Sequence, residues 1–167
     1  MFRPRRNEDL DPCLAVLRAV HVTDRYPVRW PRDPARWLVG RAGLTAWISE
    51  RDGARDGHLS LHGTDEERAR PQWRSAVPGP VEQLAVVSRF FVSPEARGRG
   101  VGSALMSAAE DHAATHGLRL VLDVADHNLD AIAFYERRGW SRVGTASLVL
   151  DDGSPLPLVL FVLPESV

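Results

Sequence analysis

With 167 residues, 44% of them hydrophobic and 26% charged, the chain has the composition of one globular domain, burying roughly 70% of the surface its unfolded form exposes. A net charge of −1 argues against a nucleic-acid partner, and the lack of any long apolar run argues against a membrane span. The basic start Met1-Phe2-Arg3-Pro4-Arg5-Arg6 lacks the apolar run of a signal peptide, and the lone Cys13 excludes an internal disulfide, so the expected location is the reducing cytoplasm.

In chain order the pattern predicts a continuous α/β domain without repeats. Residues 2–6 read as a first strand. Asp9 to His21 reads as a helix, with Leu10, Leu14, Leu17 or Arg18, and His21 on one side and Pro12 in its first turn, where a missing N–H costs nothing. A loop over 24–33 rich in proline and arginine follows. A short helix is then capped by Asp33, begun by Pro34 and stopped by Gly40. Leu44–Glu50 and Gly57–His62 read as strands joined at Arg51-Asp52-Gly53.

Residues 63–83 break the pattern. They are polar, carry Pro71, Pro78 and Pro80, and hold one large apolar side chain, Trp73. Thr64-x-x-Glu67 has the form of a capping box, with Pro71 ending or kinking whatever it starts. Such a segment is expected to be a mobile flap or an oligomer contact outside the core.

The apolar run Leu84 to Val92 then leads through Ser93-Pro94-Glu95-Ala96 into Arg97-Gly98-Arg99-Gly100-Val101-Gly102-Ser103, which opens a helix with Val101, Leu105, Ala108 and His112 at helical spacing. The first N–H groups of a helix have no internal partner, and the dipole places positive charge there. Glycines let the backbone close in on an anion. Arg97 and Arg99 add formal charge, so 97–103 reads as a diphosphate cradle. A Walker loop is excluded because the chain contains no lysine. A dinucleotide turn is a rival, with Gly98-x-Gly100 after a strand and Asp123 closing the next one. Against it, Ser103 stands where the third glycine belongs, and five residues separate Val92 from Gly98.

Farther on, Gly117 stops the helix and Leu118–Ala125 reads as a strand with Leu118, Leu120, Leu122 and Val124 on one face. Asn128 caps a helix that Gly139 ends before Trp140 opens a strand. Asp151-Asp152-Gly153 turns a last hairpin returning over Leu158–Leu163, with Pro155 and Pro157 confining its start to an unpaired edge.

Arg97-x-x-Gly100-x-Gly102 after Phe90-Phe91-Val92 resembles the Q/R-x-x-G-x-G/A signature of the GNAT superfamily of acyl-CoA N-acyltransferases. The resemblance continues through Leu122-Asp123-Val124 and Asn128-x-x-Ala131-Ile132-x-Phe134-Tyr135-Glu136-Arg137-Arg138-Gly139-Trp140, and covers about residues 84–146. It implies a central mixed, mostly antiparallel sheet of about seven strands flanked by helices. It also implies an acceptor side in about 1–80, an acetyl-CoA-binding core in 84–146 and a C-terminal hairpin over 147–163. The implied activity is transfer of an acetyl group from acetyl-CoA to an amine of a small molecule or peptide, by direct attack and a tetrahedral intermediate. No metal is called for, and a homodimer is left open. A non-catalytic acyl-CoA sensor of the same fold is the opposed reading.

By that resemblance Phe90, Phe91, Val92, Arg97, Gly98, Arg99, Gly100, Val101, Gly102, Ser103, Asn128 and Tyr135 hold the cosubstrate, with Asn128 on the pantetheine arm and Tyr135 near the sulfur as general acid. Seven residues apart, Asn128 and Tyr135 share a helix face about 10 Å apart along the axis. The bland readings are a plain N-cap and a packed aromatic. A main-chain N–H near Phe91 or Val92 is expected to hold the oxyanion. Val86 occupies the position where some relatives carry a basic carboxylate, which leaves Asp123, with Glu82 behind it, as the catalytic base. Asp123 is equally readable as a structural acid paired with Arg119. His58 and His62, flanking Ser60, are a candidate proton relay through water, and as a metal pair they lack a third ligand. Tyr26, Trp30 and Trp37 among arginines suggest a planar or partly anionic acceptor.

Overall fold

Local chemistry sets the first elements of the computed structural model, which describes residues 1–41, 43–64 and 70–165. Helix α1 (Leu10–Asp24) is followed by α2 (Pro34–Val39), where Asp33 Oδ1 accepts the Arg36 N–H at 2.9 Å and Gly40 ends the helix at φ 71°. The strands are β1 (Phe2–Pro4), β2 (Gly43–Arg51), β3 (Ala54–Gly63), β4 (Leu84–Val92), β5 (Arg119–Ala125), β6 (Ser141–Val149) and β7 (Pro155–Val162). They form a seven-stranded mixed sheet in the order β1-β2-β3-β4-β5-β7-β6. Helices α3 (Pro71–Ala76), α4 (Val101–His116) and α5 (Leu129–Arg137) complete the set. Among the described residues no helix is long and apolar enough to cross a membrane.

Contacts divide the chain into two compact units, Met1–Gly63 with Val87–Thr115, and Thr64–Val86 with His116–Val167. In the first, α1 buries Cys13, Leu17 and Val20 against Leu38, Ile48 and Phe91. That stripe is rotated from the expected line of Leu10, Leu14, Leu17 or Arg18, and His21, because Cys13 behaves as a small hydrophobe and is buried with Leu17 and Val20. The β2–β3 hairpin turns on Asp52 (φ 52°) and Gly53 (φ 81°), two consecutive left-handed residues whose twist matches the strands. Gly57 lets β3 approach α4: a Cβ there would stand 3.0 Å from Leu105 Cδ1 and 3.1 Å from Val101 Cγ1.

In the second unit the segment after Gly63 departs from expectation. Pro71 does not end a helix; it begins α3, in the first turn, where proline is tolerated. Trp73 is only 2% exposed and packs with Val77, Leu84, Val121, Leu158, Leu160 and Val162. This part of the chain belongs to the core, not to a flap. One indole buried here supplies more apolar area than any single aliphatic side chain, so a polar segment is anchored by one residue. The Thr64-x-x-Glu67 capping box lies outside the described residues. Strand β7 pairs with β6 along its length and with β5 only from Leu158 onward, so its start has one unpaired edge, on the β5 side. Pro155 and Pro157 fall in the part of β7 that lacks ladder pairing to β5, where missing N–H groups are harmless.

Candidate active site

The first unit carries the loop predicted to hold a diphosphate. After β4, a 3-10 turn over Pro94–Ala96 leads to Arg97, and α4 begins at Val101. This intervening turn is unlike the immediate strand-to-helix turn of a dinucleotide site. The Gly100 carbonyl accepts the Ala104 N–H at 2.9 Å, so Gly100 is the cap and the N–H groups of Val101, Gly102 and Ser103 are helix orphans. Gly98 and Gly100 sit at φ 71° and 78°, a region side chains rarely adopt, and no atom beyond the adjoining residues lies within 4 Å of where a Cβ on either would stand. Their requirement is conformational, and the space beside them is open to an anion.

Arg97 does not face that space with free charge. Its Nη1 donates to Asp24 Oδ1 at 3.1 Å, its Nη2 to Asp24 Oδ2, and Nη2 also lies 3.4 Å from the Val92 carbonyl. Of the two expected cations, Arg97 is therefore tied to the end of α1.

Strand β4 leaves its regular conformation at Arg89, a non-glycine residue at φ 47°. A single left-handed residue inside a strand interrupts the ladder and re-aims the N–H groups that follow, here those of Phe90, Phe91 and Val92. The oxyanion donor was expected near Phe91 or Val92, two or three residues later, and arginine carries no left-handed preference to announce the irregularity at Arg89. The Arg89 side chain donates from Nε to the Trp37 carbonyl at 3.1 Å and lies over the Trp37 ring, 4.8 Å from its centroid. Trp30 has Arg18 over its ring at 5.0 Å and His21 beside it, and Tyr26 meets Trp37 edge-on. These aromatics flank the α1 core cluster rather than standing clear of it.

His58, Ser60 and His62 share one face of β3, all buried. Arg5 Nη1 lies 3.0 Å from His58 Nε2, and the Arg89 carbonyl 2.7 Å from Nδ1. A guanidinium only donates and a carbonyl only accepts, which assigns His58 as neutral with the proton on Nδ1. Burial pushes it down to about 3, despite the Arg89 carbonyl, with Arg5 adding to the fall. Both nitrogens are occupied, so His58 is a structural group and not half of a water relay. Ser60 donates to the Ser88 carbonyl at 3.0 Å, so its 2.9 Å contact with His62 Nε2 is one in which the imidazole donates. Burial, with Arg89 and Arg5, pushes His62 down to about 4.

The second unit carries the other candidates. Asn128 Oδ1 accepts the Ala131 N–H at 3.3 Å and caps α5. Seven residues on, Tyr135 is buried, its ring 5.5–5.8 Å from those of Phe134, Phe161 and Trp140. The ring is packed, as the bland reading required. Asp123 Oδ2 accepts from Arg70 Nη2 at 3.0 Å and Nε at 3.3 Å. The expected Arg119 partner is wrong: Arg119 Nη1 pairs with Glu165 Oε1 at 2.5 Å. Four residues along a strand span about 13 Å, too far for a close pair, while Arg70 arrives from just before α3.

A family model for the acetyltransferase (GNAT) family matches residues 13–140. An uncharacterized N-acetyltransferase of Methanocaldococcus jannaschii is 30% identical over 138 residues, which are 80% of this chain and 57% of that protein, so the chain spans little more than half its relative's length. An N-acetyltransferase structure from Staphylococcus aureus Mu50 superposes with a TM-score of 0.75 at 20% identity, covering 98% of this chain and 96% of the other. Arabidopsis thaliana NAA60 in complex with acetyl-CoA does so with a TM-score of 0.74 at 19% identity, covering 98% and 97%. The matched model spans most of the sequence, including the strand, the glycine cradle and the Asn128–Tyr135 helix: the chain belongs to the acetyltransferase (GNAT) family.

Proposed function

We propose that this chain transfers an acetyl group from acetyl-CoA to the amine of a peptide or small molecule. The observation that carries the reading is the cradle, where two left-handed glycines with open space beside them precede a helix whose first three N–H groups have no intrahelical partner. The N–H groups of 98–103 hold the diphosphate, with Arg99 adding charge. The N–H groups of Phe90, Phe91 and Val92, just past the Arg89 irregularity, are the donors for the pantetheine arm and the oxyanion. By resemblance Asn128 is assigned to the pantetheine arm, while its Oδ1 caps the helix.

The amine attacks the thioester carbonyl, the tetrahedral oxyanion collapses, and the C–S bond breaks with the electron pair leaving on sulfur. Tyr135 O–H gives its proton to that thiolate. Asp123 is the carboxylate assigned to the amine's proton, with Arg70 orienting it through Oδ2. The acetyl-CoA-bound neighbour of similar fold supports the choice of cosubstrate. No step calls for a metal.

Calorimetry with acetyl-CoA tests the reading. Gly100→Val forces a β-branched residue to φ 78° beside the anion, and each charge-assisted bond lost is worth roughly 1.5–3 kcal/mol. The variant should bind at least tenfold more weakly. Normal binding by Gly100→Val places the cradle elsewhere, and tight binding of NAD by the wild type favours a dinucleotide site.

A further inference from the structure

We propose that Asp24, the last residue of α1, is a positioning residue for acetyl-CoA: through Arg97 it pre-sets the main chain of the cradle. The inference rests on the acetyl-CoA reading of that loop. Arg97 is the residue immediately before the two left-handed glycines, and its guanidinium is held as a fork on the Asp24 carboxylate, with the Val92 carbonyl on its other side. A segment containing Gly98 and Gly100 has more backbone freedom than one without glycine, and an anion that orders it loses affinity to that ordering. On the C-terminal side the segment is fixed by α4. On the N-terminal side the Arg97 fork fixes it to α1 and to the last residue of β4.

Local helix physics does not account for Asp24. A carboxylate at a helix C-terminus faces the negative end of the dipole, where cations belong. The helix is closed without it, by Arg25 at φ 55° whose N–H reaches the His21 carbonyl at 2.9 Å. What Asp24 does have is Arg97, 73 residues away. Its replacement by a neutral residue therefore leaves α1 no less stable, and any loss of cosubstrate affinity is not a loss of fold. The pairing also reassigns Arg97. Three of its five N–H donors are engaged by Asp24 and the Val92 carbonyl, so it serves the diphosphate chiefly through its main chain and its position.

The two roles separate by measurement. Calorimetric Kd values for acetyl-CoA are compared for wild type, Asp24→Ala, Arg97→Ala, the double variant, and the exchange of Asp24→Arg with Arg97→Asp. A tether predicts that each single substitution weakens binding about three- to tenfold, within twofold of one another. The double variant is no worse than either, and the exchanged pair recovers most of the loss. In steady state, Asp24→Ala raises KM for acetyl-CoA and shifts kcat by less than twofold, and its melting temperature does not fall. Unchanged or tighter binding by Asp24→Ala overturns the proposal, because then Asp24 only competes with phosphate for the arginine. A loss in Arg97→Ala tenfold beyond that in Asp24→Ala also overturns it, since Arg97 would then be a direct ligand. A wild type that binds no acetyl-CoA overturns this inference together with the function it rests on.

Discussion

Asp9→Ala should be among the most destabilising single substitutions in the chain. The Asp9 side chain is fully buried and accepts five hydrogen bonds: two from Arg3 at 2.8 and 2.9 Å, two from Arg55 at 2.9 and 2.6 Å, and one from the Arg6 N–H at 2.7 Å. Both arginines are themselves mostly buried, with side chains 17% and 16% exposed. Removing one member of such a cluster costs about 3–5 kcal/mol, because the other charges stay behind unpaired. Here Glu50 Oε2 remains, 2.9 Å from Arg3 and 3.9 Å from Arg55, and offsets part of that. The expected loss is near the lower bound, about 3 kcal/mol, or roughly 6–12 °C in melting temperature for a domain of this size. Urea denaturation at pH 7 reads it directly. The arginines hold the Asp9 carboxyl well below the usual carboxylate range. Its stabilising contribution is therefore complete above the unfolded value of about 3.9 and is lost only as pH falls through the lower folded one. The difference between wild type and variant should accordingly be flat from pH 5 to 8. A difference below about 1 kcal/mol would refute the argument, since that is what a solvated surface pair is worth.

Two further outcomes follow from burial. Trp73→Ala removes a core indole and should cost about 3–5 kcal/mol by urea denaturation; a change under 1 kcal/mol would return residues 71–76 to the flap first expected of them. His58 is held neutral with its folded value pushed down to about 3 against about 6.5 unfolded, so the unfolded state binds the extra proton between those values and stability falls as pH falls through them. Between pH 7.5 and 5.5 His58 alone should account for about 1.4 kcal/mol of lost stability, and His58→Gln should lose that share of the acid sensitivity; a wild type equally stable at both pH values would show that the imidazole is not held neutral.

What the sequence made legible was chemistry that acts within a few residues. Asp33 and Gly40 bound α2 as read, Asp52-Gly53 turns the hairpin, and Gly117 at φ 64° and Asn128 mark an end and a start. The glycine loop ahead of α4 was legible for the same reason, since glycine followed by a helix is a local signal. Trp73 was misplaced because one aromatic in a polar segment has no periodicity, and only its partners on β4, β5 and β7 define it as core. Asp123 received the wrong arginine because its partner lies 53 residues upstream. The Asp24 tether, 73 residues long, and the left-handed Arg89 had no signal at all: one depends on tertiary proximity, and the other is a conformation its residue type does not favour.

The distribution of proton-carrying groups decides where catalysis has to come from. Using the free base of an aliphatic amine at pH 7 costs about 4.6 kcal/mol, and Asp123 is the carboxylate assigned to take up that proton. The buried histidines add nothing to it, for they are pushed down to about 3 and about 4, with both His58 nitrogens committed to Arg5 and the Arg89 carbonyl and His62 Nε2 to Ser60. Expelling water from around the leaving thiolate raises its demand for a proton. Tyr135 is the side chain assigned to meet that demand, and its ring is already fixed by Phe134, Trp140 and Phe161, so one hydroxyl can be removed without moving the cluster. Tyr135→Phe should keep its stability and its affinity for acetyl-CoA, and lose about 10²-fold in kcat, the scale of a positioned general acid. The high-pH fall in the rate profile should go with it. Full turnover by Tyr135→Phe would make Tyr135 a packing residue and pass the proton transfer to water.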